Sequence, residues 1–323
     1  MRKPSRRKVS NWAILAWSLN GLGLIALVFV LALYWTRPST QVAAASFVDP
    51  QGTPYPTITP APTIYYLPTI TPNPRSTQIV ETTATPFYLA HGPKPTIIGF
   101  SVSGRPIEVY TFGQGEQQRM IVAGIHGGYE WNTIALADQL ITYINEHPEA
   151  IPSNITLYIL RDLNPDGDAR SHDEYGRVNA HGVDLNRNFP INWAASWDRS
   201  GCYDLTPTTS GTGPASEPET RVMMNFLNTH KIEALISYHS AALGIFPGGN
   251  PWADASIRLA RAISKVATYP YPPINTGCVY TGTLADFAVS VGAAAVDMEL
   301  ANHQDTDFSM NLRVLNVLVN FSK

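Results

Sequence analysis

Cysteine is nearly absent from this chain of 323 residues, which contains only Cys202 and Cys278. No C-x-x-C pair is present, so a zinc site built from cysteines is not expected. Two cysteines of an exported protein can pair as a disulfide, and they can equally be two unrelated buried thiols. The distance between their Cα atoms decides between these alternatives, and the sequence does not give it.

Basic residues are also scarce. The chain has 22 lysines and arginines against 25 acidic residues, for a formal net charge of −3. Arg2, Lys3, Arg6, Arg7 and Lys8 fall within the first ten positions, where no acid occurs, so the remainder is more acidic still. A protein that binds nucleic acid needs a basic face to neutralise phosphates. The composition therefore argues against nucleic acid as a partner.

Charged residues are absent from residues 11–35, which read NWAILAWSLNGLGLIALVFVLALYW. A membrane-spanning helix needs about 20 apolar residues, and this run is long enough. Because residues 1–10 are basic, we predict a cytoplasmic tail, a single-pass signal-anchor helix in the cell membrane and an extracytoplasmic remainder. A cleaved signal peptide is the alternative, but its apolar region is usually only about 7–15 residues long.

Residues 36–95 are rich in proline and threonine and hold twelve of the 26 prolines. Such a segment cannot bury a core and lacks many backbone donors. We predict an extended, polyproline-like linker that rises about 3.1 Å per residue. A small β-domain is the alternative, but the segment shows no sustained alternation of apolar and polar residues.

The composition becomes that of a globular domain over residues 96–323. Buried strands are predicted at 119–125, 155–161, 232–238 and 293–298, and helices at 133–144, 216–230, 255–267 and 308–321. Ser216 and Glu219 have the spacing of a capping box. This alternation predicts a single α/β domain with a mixed, mostly parallel central sheet flanked by helices. Ligands of such sheets bind beyond the carboxyl ends of the strands.

Four polar residues lie at those strand ends. His126, His239 and Glu299 each follow a predicted strand, and Glu130 lies at the start of the helix after His126. A catalytic zinc keeps three protein ligands, often two histidines and a glutamate, and a separate carboxylate acts as base for the attacking water. We expect one zinc ion per chain, held by His126, Glu130 and His239, with Glu299 as the base. The exchange of the two glutamates is the alternative.

Seven motifs occur in one order between residues 97 and 323: GRPIEVYTFG (104–113), IHGGYE (125–130), NPDG (164–167), GRVNAHGVDLNRNFP (176–190), GPASEPET (213–220), SYHS (237–240) and VDMEL (296–300). With these motifs the chain resembles the zinc metallocarboxypeptidases of the carboxypeptidase A type (funnelins), especially the compact bacterial branch that includes murein peptide amidases. The resemblance implies a zinc carboxypeptidase-like catalytic domain and places the same residues on the zinc ligands and the base.

The resemblance also implies roles around the zinc. Asp184 corresponds to the carboxylate that orients the first zinc histidine. Asn186 and Arg187 correspond to the pair that binds the terminal carboxylate of the substrate, for which the planar guanidinium is suited. Arg177 corresponds to the arginine that stabilises the oxyanion, and Tyr280 to a mobile tyrosine that closes over the substrate. The alternatives are a surface salt bridge for Asp184 and Arg187 and a turn residue for Asn186.

The spacing of the first two ligands departs from the family. The family pattern is H-x-x-E, whereas His126 and Glu130 are separated by three residues. The extra residue falls in Gly127-Gly128, where glycine can adopt a positive φ and bulge outward. The arginine that the family places next to this glutamate is also missing, because Tyr129 and Trp131 flank Glu130. A lost zinc site is the alternative to a bulged one.

The sequence therefore predicts a membrane-tethered, extracytoplasmic zinc metallopeptidase that acts as a carboxypeptidase on peptides. Two other functions stay open. One is a murein peptide amidase or endopeptidase that cuts cell-wall peptides at a diamino acid. The other is a non-catalytic peptide-binding module on the same fold, which zinc content would distinguish from both enzymes.

Overall fold

Seven strands form one sheet in the computed structural model, which describes residues 94–197, 202, 208–241 and 243–323. The strands are β1 (Thr96–Phe100), β2 (Pro106–Gly113), β3 (Gln117–Val122), β4 (Ile155–Leu160), β5 (Ile232–Ser240), β6 (Ile245–Pro247) and β7 (Ala294–Leu300). Their order across the sheet is β1-β2-β4-β3-β5-β7-β6. Four inner strands, β4, β3, β5 and β7, are buried along most of their length, as expected for strands covered on both faces.

The strand directions confirm a mixed sheet but not a mostly parallel one. β4, β3, β5 and β7 run parallel to one another, whereas three of the six strand pairings, β1 with β2, β2 with β4 and β6 with β7, are antiparallel. The antiparallel strands give a weak sequence signal. β1 is partly exposed and β6 has only three residues, so neither shows the long apolar run of a buried parallel strand.

Helices cover both faces of the sheet, as predicted. They are α1 (Trp131–Glu146), α2 (Pro165–Arg170), α3 (Pro218–Thr229), α4 (Asp254–Ile263), α5 (Leu284–Ser290) and α6 (Phe308–Val319). Apolar residues of α1, α4 and α6 pack in one core layer, and those of α3 and α5 pack in the other. One apolar face of α1 is buried, namely Ile134, Ala137, Leu140, Ile141 and Ile144.

The start of α3 differs from the predicted capping box. The N-cap residue is Glu217, and no side chain caps the helix there. The Ser216 hydroxyl donates instead to the Glu217 carboxylate at 2.6 Å, and Glu219 accepts a hydrogen bond from the backbone N–H of Val102 on another part of the chain. Pro218 occupies the first helical position, where its missing N–H has no cost. Ser216 and Glu219 therefore have other hydrogen-bond partners and do not form the capping box.

The strand ends also differ from the prediction, and the difference positions the polar residues. β3 ends at Val122, so His126 lies in the loop beyond it rather than directly after the strand. β5 and β7 run further than predicted, because their pairing continues through His239 opposite Glu299. Both residues therefore sit on the rigid ladder itself, at the carboxyl edge of the sheet.

The predicted cytoplasmic tail, anchor helix and nearly all of the linker lie outside the described residues. Among the helices that the structure describes, none combines the length and the apolar character required to cross a membrane. The boundaries at residues 10, 35 and 95 therefore stay predictions.

Candidate metal centre

The loop after β3 places the first two candidate ligands. Gly124 and Gly127 have φ angles of 64° and 44°, which a residue with a side chain rarely adopts. Gly127–Glu130 form a 3₁₀ turn, and Glu130 is the N-cap residue of α1. A side chain at Gly128 would collide with the carbonyl oxygen of Ser171, 2.0 Å from the position of a Cβ atom. The glycine pair therefore accommodates the additional residue while His126 and Glu130 point to the same place.

His126, Glu130 and His239 come together as a buried cluster. His126 Nδ1 lies 2.8 Å from Glu130 Oε1, and His239 Nδ1 lies 3.3 Å from both Glu130 Oε2 and His126 Nδ1. One ligand atom from each residue falls within 4.8 Å of the others. Both imidazoles thus present Nδ1 to a common point, which they share with the carboxylate.

Asp184 lies behind His126. Its Oδ1 atom is 3.1 Å from His126 Nε2, and its Oδ2 atom accepts a hydrogen bond from Arg177 Nε at 3.0 Å. Arg177 also reaches Glu130 Oε1 at 3.4 Å through Nη1. A carboxylate on the distal nitrogen fixes the tautomer and the ring orientation of a metal-binding histidine. The geometry of Asp184 is thus that of an orienting carboxylate, rather than of a surface salt bridge.

The register of β5 and β7 places two acids beside the cluster. Glu299 is the partner of His239, and two residues earlier Asp297 is the partner of Ser237. Residues two apart on a strand share a face, so Asp297 and Glu299 point to the same side. The Asp297 carboxylate lies 3.6 Å from His239 Nε2, on the side of the ring opposite Glu130.

Charges within the cluster shift its pKa values. Burial, together with the neighbouring charge of Glu130, raises the pKa of Glu299 to about 8. Burial alone would lower the pKa of His239, but its contacts with Asp297 and Glu130 raise it to about 10. Burial alone would raise the pKa of Asp184, but Arg177 and His126 hold it well below its ordinary value. Of the two carboxylates, Glu299 is thus the one whose pKa lies near neutral pH.

The cluster fits a bound cation. Glu130 Oε2 is buried and has no hydrogen-bond partner, and the same holds for Glu299 Oε2 and Asp297 Oδ1. Buried carboxylate oxygens without partners are costly unless a cation or water meets them. Ligand atoms about 2.0–2.2 Å from one tetrahedral zinc ion are separated by about 3.3–3.5 Å. The two separations of 3.3 Å around His239 Nδ1 agree with that requirement.

Arg187 lies beyond the cluster, buried between two aromatic rings. Its guanidinium carbon is 5.6 Å from the ring centre of Trp197 and 5.3 Å from that of Tyr280. Its Nε atom is buried without a hydrogen-bond partner, and its Nη1 donates to the Asn186 carbonyl at 2.8 Å. An arginine that is fixed by stacking and has an unused donor is prepared for an anionic ligand. The structure thus brings Asn186, Arg187 and Tyr280 to one place beside the metal cluster.

Cys202 and Cys278 form a disulfide, with Cα atoms 4.9 Å apart. Of the two alternatives that the sequence leaves open, pairing is the one observed. Cys278 precedes Tyr280 by two residues, and Cys202 follows Trp197 by five. The bond therefore joins the two segments whose rings enclose Arg187.

Sequence reasoning missed three residues of this site. Asp297 could have been found, because it lies one strand period before Glu299 on the same face. Ser237 could have been found in the same way, because it lies two residues before His239 on the same strand face. Its hydroxyl is 3.1 Å from His239 Nε2. Trp197 carries no such signal, because only the folded loop brings it to Arg187.

A mixed α/β sheet with two histidines, a glutamate and a separate carboxylate at its carboxyl edge defines a metallohydrolase-type site. The family model for zinc carboxypeptidases matches residues 94–313. The chain therefore belongs to the zinc carboxypeptidase family. This membership confirms the predictions of a zinc metallopeptidase and of zinc as the metal, for which the triad supplies the candidate ligands.

The chain is similar to curated animal carboxypeptidases. It is 29% identical over 230 residues to mast cell carboxypeptidase A of Rattus norvegicus, which covers 60% of this chain and 55% of that protein. It is 33% identical over 175 residues to carboxypeptidase A1 of Sus scrofa, which covers 47% of this chain and 41% of that protein. The chain thus spans about half the length of the curated relatives it matches.

Solved structures share the fold. Murein-tripeptide amidase MpaA from Escherichia coli O157 has a TM-score of 0.54 at 22% identity, covering 72% of this chain and 94% of that one. Carboxypeptidase A from Helicoverpa armigera has a TM-score of 0.55 at 22% identity, covering 71% of this chain and 67% of that one. At these identities the similarity establishes the architecture and nothing finer.

Proposed function

We propose that this chain is a membrane-tethered, extracytoplasmic zinc carboxypeptidase that hydrolyses the C-terminal peptide bond of peptides. One observation carries the proposal: a buried arginine with an unused donor, Arg187, lies beside a metal triad that has a separate carboxylate, Glu299. A peptide whose terminal carboxylate meets Arg187 would extend its last peptide bond toward the triad. Cleavage at that bond is the reaction of a carboxypeptidase.

Zinc held by His126, Glu130 and His239 would polarise the scissile carbonyl and lower the pKa of water. Glu299 takes a proton from the attacking water and passes it to the leaving amine. Burial and the charge of Glu130 raise the pKa of Glu299 to about 8, and a carboxylate with such a pKa is suited to take up a proton, which supports this role. Arg177, which is already directed at Glu130, is near enough to stabilise negative charge on the carbonyl oxygen.

At the other end of the bond, Asn186 and Arg187 hold the substrate. The Asn186 side-chain oxygen accepts a hydrogen bond from the backbone N–H of Leu284 at 2.8 Å, which fixes the amide at the start of α5. Arg187 is fixed by its two aromatic neighbours. Tyr280 forms one of those neighbours and is placed to cover the bound substrate. Rigid binding groups of this kind orient the peptide bond for attack.

The location rests on the sequence of residues 1–95. An uncharged run of membrane-spanning length after a basic tail supports a single-pass anchor, and the proline-rich linker supports a domain held away from the membrane. A disulfide in the catalytic domain suits an extracytoplasmic compartment, where such bonds persist.

Paired kinetics on one peptide, as free acid and as C-terminal amide, test the exopeptidase activity. The amide loses the charge and one oxygen, and hydrogen bonds to charged groups are worth about 1.5–3 kcal/mol. We expect the enzyme to favour the acid by about 10- to 150-fold in kcat/KM. Arg187→Ala should cause a similar loss on the acid and little further loss on the amide.

Equal rates on acid and amide with the unmodified enzyme would contradict the carboxypeptidase proposal and favour an amidase or endopeptidase. A panel that includes murein peptides with a diamino acid identifies the cell-wall alternative. Absence of bound zinc, together with no turnover of any peptide, would favour the non-catalytic module.

A further inference from the structure

Asp297 is an acid that the proposed reaction does not use. Its side chain is 15% exposed, compared with 3% for His239 and Glu130, so a ligand can reach it from outside the cluster. Its Oδ1 atom has no hydrogen-bond partner, and its Oδ2 atom accepts only a long bond of 3.4 Å from Asn186 Nδ2. A carboxylate in this state can accept a strong hydrogen bond from a cation.

Orientation of His239 does not account for Asp297. The distal nitrogen of that ring, Nε2, already has the Ser237 hydroxyl at 3.1 Å, whereas Asp297 Oδ1 is 3.6 Å away. A distance of 3.6 Å exceeds that of a normal hydrogen bond. Ser237 is fully buried and stands on the same strand as His239, so it can hold the ring without help.

Two aromatic side chains, those of Phe246 and Tyr280, belong to the surroundings of Asp297. Phe246 on β6 is its cross-strand partner, and partners in register share a face of the sheet. The Phe246 ring meets the Tyr280 ring edge-on, with centres 5.4 Å apart. Tyr280 in turn lies over Arg187. Asp297 therefore stands between the groups proposed to hold the substrate's terminal carboxylate and two aromatic side chains.

We propose that Asp297 makes this enzyme selective for substrates whose C-terminal residue carries a positively charged side chain. This inference rests on the proposed carboxypeptidase function and names its substrate class. Arg187 would bind the terminal carboxylate, Phe246 and Tyr280 would cover the aliphatic stem of the side chain, and Asp297 would accept a hydrogen bond from the cation at its end. The same chemistry suits lysine, arginine and a diamino acid with a free amino group.

The test compares benzoyl-glycyl-lysine with benzoyl-glycyl-norleucine, which has the same four-carbon stem but no ammonium group. We expect kcat/KM to favour lysine by about 10- to 100-fold, because the site's carboxylate meets a charged donor. Asp297→Asn should remove that preference by lowering kcat/KM for lysine, leave norleucine hydrolysis close to its original rate and retain zinc. Asp286→Asn is the matched control, because Asp286 Oδ1 already accepts a hydrogen bond from the Gly249 N–H at 2.7 Å. Asp286→Asn should preserve the preference for lysine over norleucine.

Binding to the zinc-loaded Glu299→Gln protein, measured by calorimetry, provides a readout that needs no turnover. The Glu299→Gln protein should bind the lysine ligand more tightly than the norleucine ligand. Adding Asp297→Asn to that protein should make the two affinities equal. Equal binding of the two ligands overturns the inference, whether or not the unmodified enzyme is active. An equal loss on both substrates with loss of zinc from Asp297→Asn also overturns it, because Asp297 would then only orient His239. Failure to hydrolyse either substrate, with lysine-selective binding retained, overturns the carboxypeptidase proposal but not the role of Asp297 in recognition.

Discussion

Replacement of Glu299 by glutamine separates the proposed base from the proposed metal ligands. Glu299 is not one of the three residues whose ligand atoms converge, and its Oε2 atom has no hydrogen-bond partner to lose. Glutamine has nearly the same shape but cannot accept a proton. We therefore expect Glu299→Gln to keep about one zinc ion per chain and to lose activity.

The size of the loss follows from the role of a general base. Such a group contributes about 10²- to 10⁴-fold to the rate, which corresponds to about 2.7–5.4 kcal/mol of activation free energy. The variant should not unfold. Burial and Glu130 raise the pKa of Glu299 from 4.5 to about 8, so the metal-free folded protein binds this proton more tightly than the unfolded chain does. The free energy of unfolding therefore decreases as the pH rises from about 4.5 to about 8. Glutamine stays neutral, so metal-free Glu299→Gln should be at least as stable as the unmodified protein at pH 8.

The assay is kcat/KM on a blocked dipeptide with a free carboxylate, combined with zinc analysis and thermal unfolding in a chelator. Glu130→Gln is the matched variant. Its carboxylate lies 2.8 Å from His126 Nδ1 and 3.3 Å from His239 Nδ1, so this change should cost zinc as well as activity. If Glu299→Gln loses the metal and Glu130→Gln keeps it, the two glutamates have been exchanged and the mechanism given above is wrong.

Two further predictions concern the support of the site and the linker. Asp184→Asn should weaken zinc binding by about 10- to 100-fold, because the carboxylate that faces His126 Nε2 at 3.1 Å is lost; competition with a chelator measures this, and unchanged affinity would exclude an orienting role. Deletion of residues 1–94 should give a soluble, active enzyme, since β1 begins at Thr96 and every strand of the sheet is retained. An insoluble or misfolded product, with the full chain active in detergent, would contradict the linker assignment.

The fold class was predictable because buried strands and amphipathic helices have different periods. The apolar runs around β3, β4, β5 and β7 are recognisable as buried strands, and the buried face of α1 follows from its sequence. The antiparallel strands were not predictable in the same way. Their short or partly exposed sequences gain stability from neighbours that are distant in the sequence, as in the pairing of β6 with β7.

The family, the α/β class and the candidate zinc ligands were all predictable from the sequence. Those conclusions depend on residue types and their order, such as His126, Glu130 and His239 within recognisable motifs. The tertiary structure decided what depends on distances between remote segments. It showed that the glycine bulge still directs Glu130 at His126, that Cys202 pairs with Cys278, and that Asp297 lies beside His239. Strand register and loop packing set these distances, and both arise from contacts that no local pattern encodes.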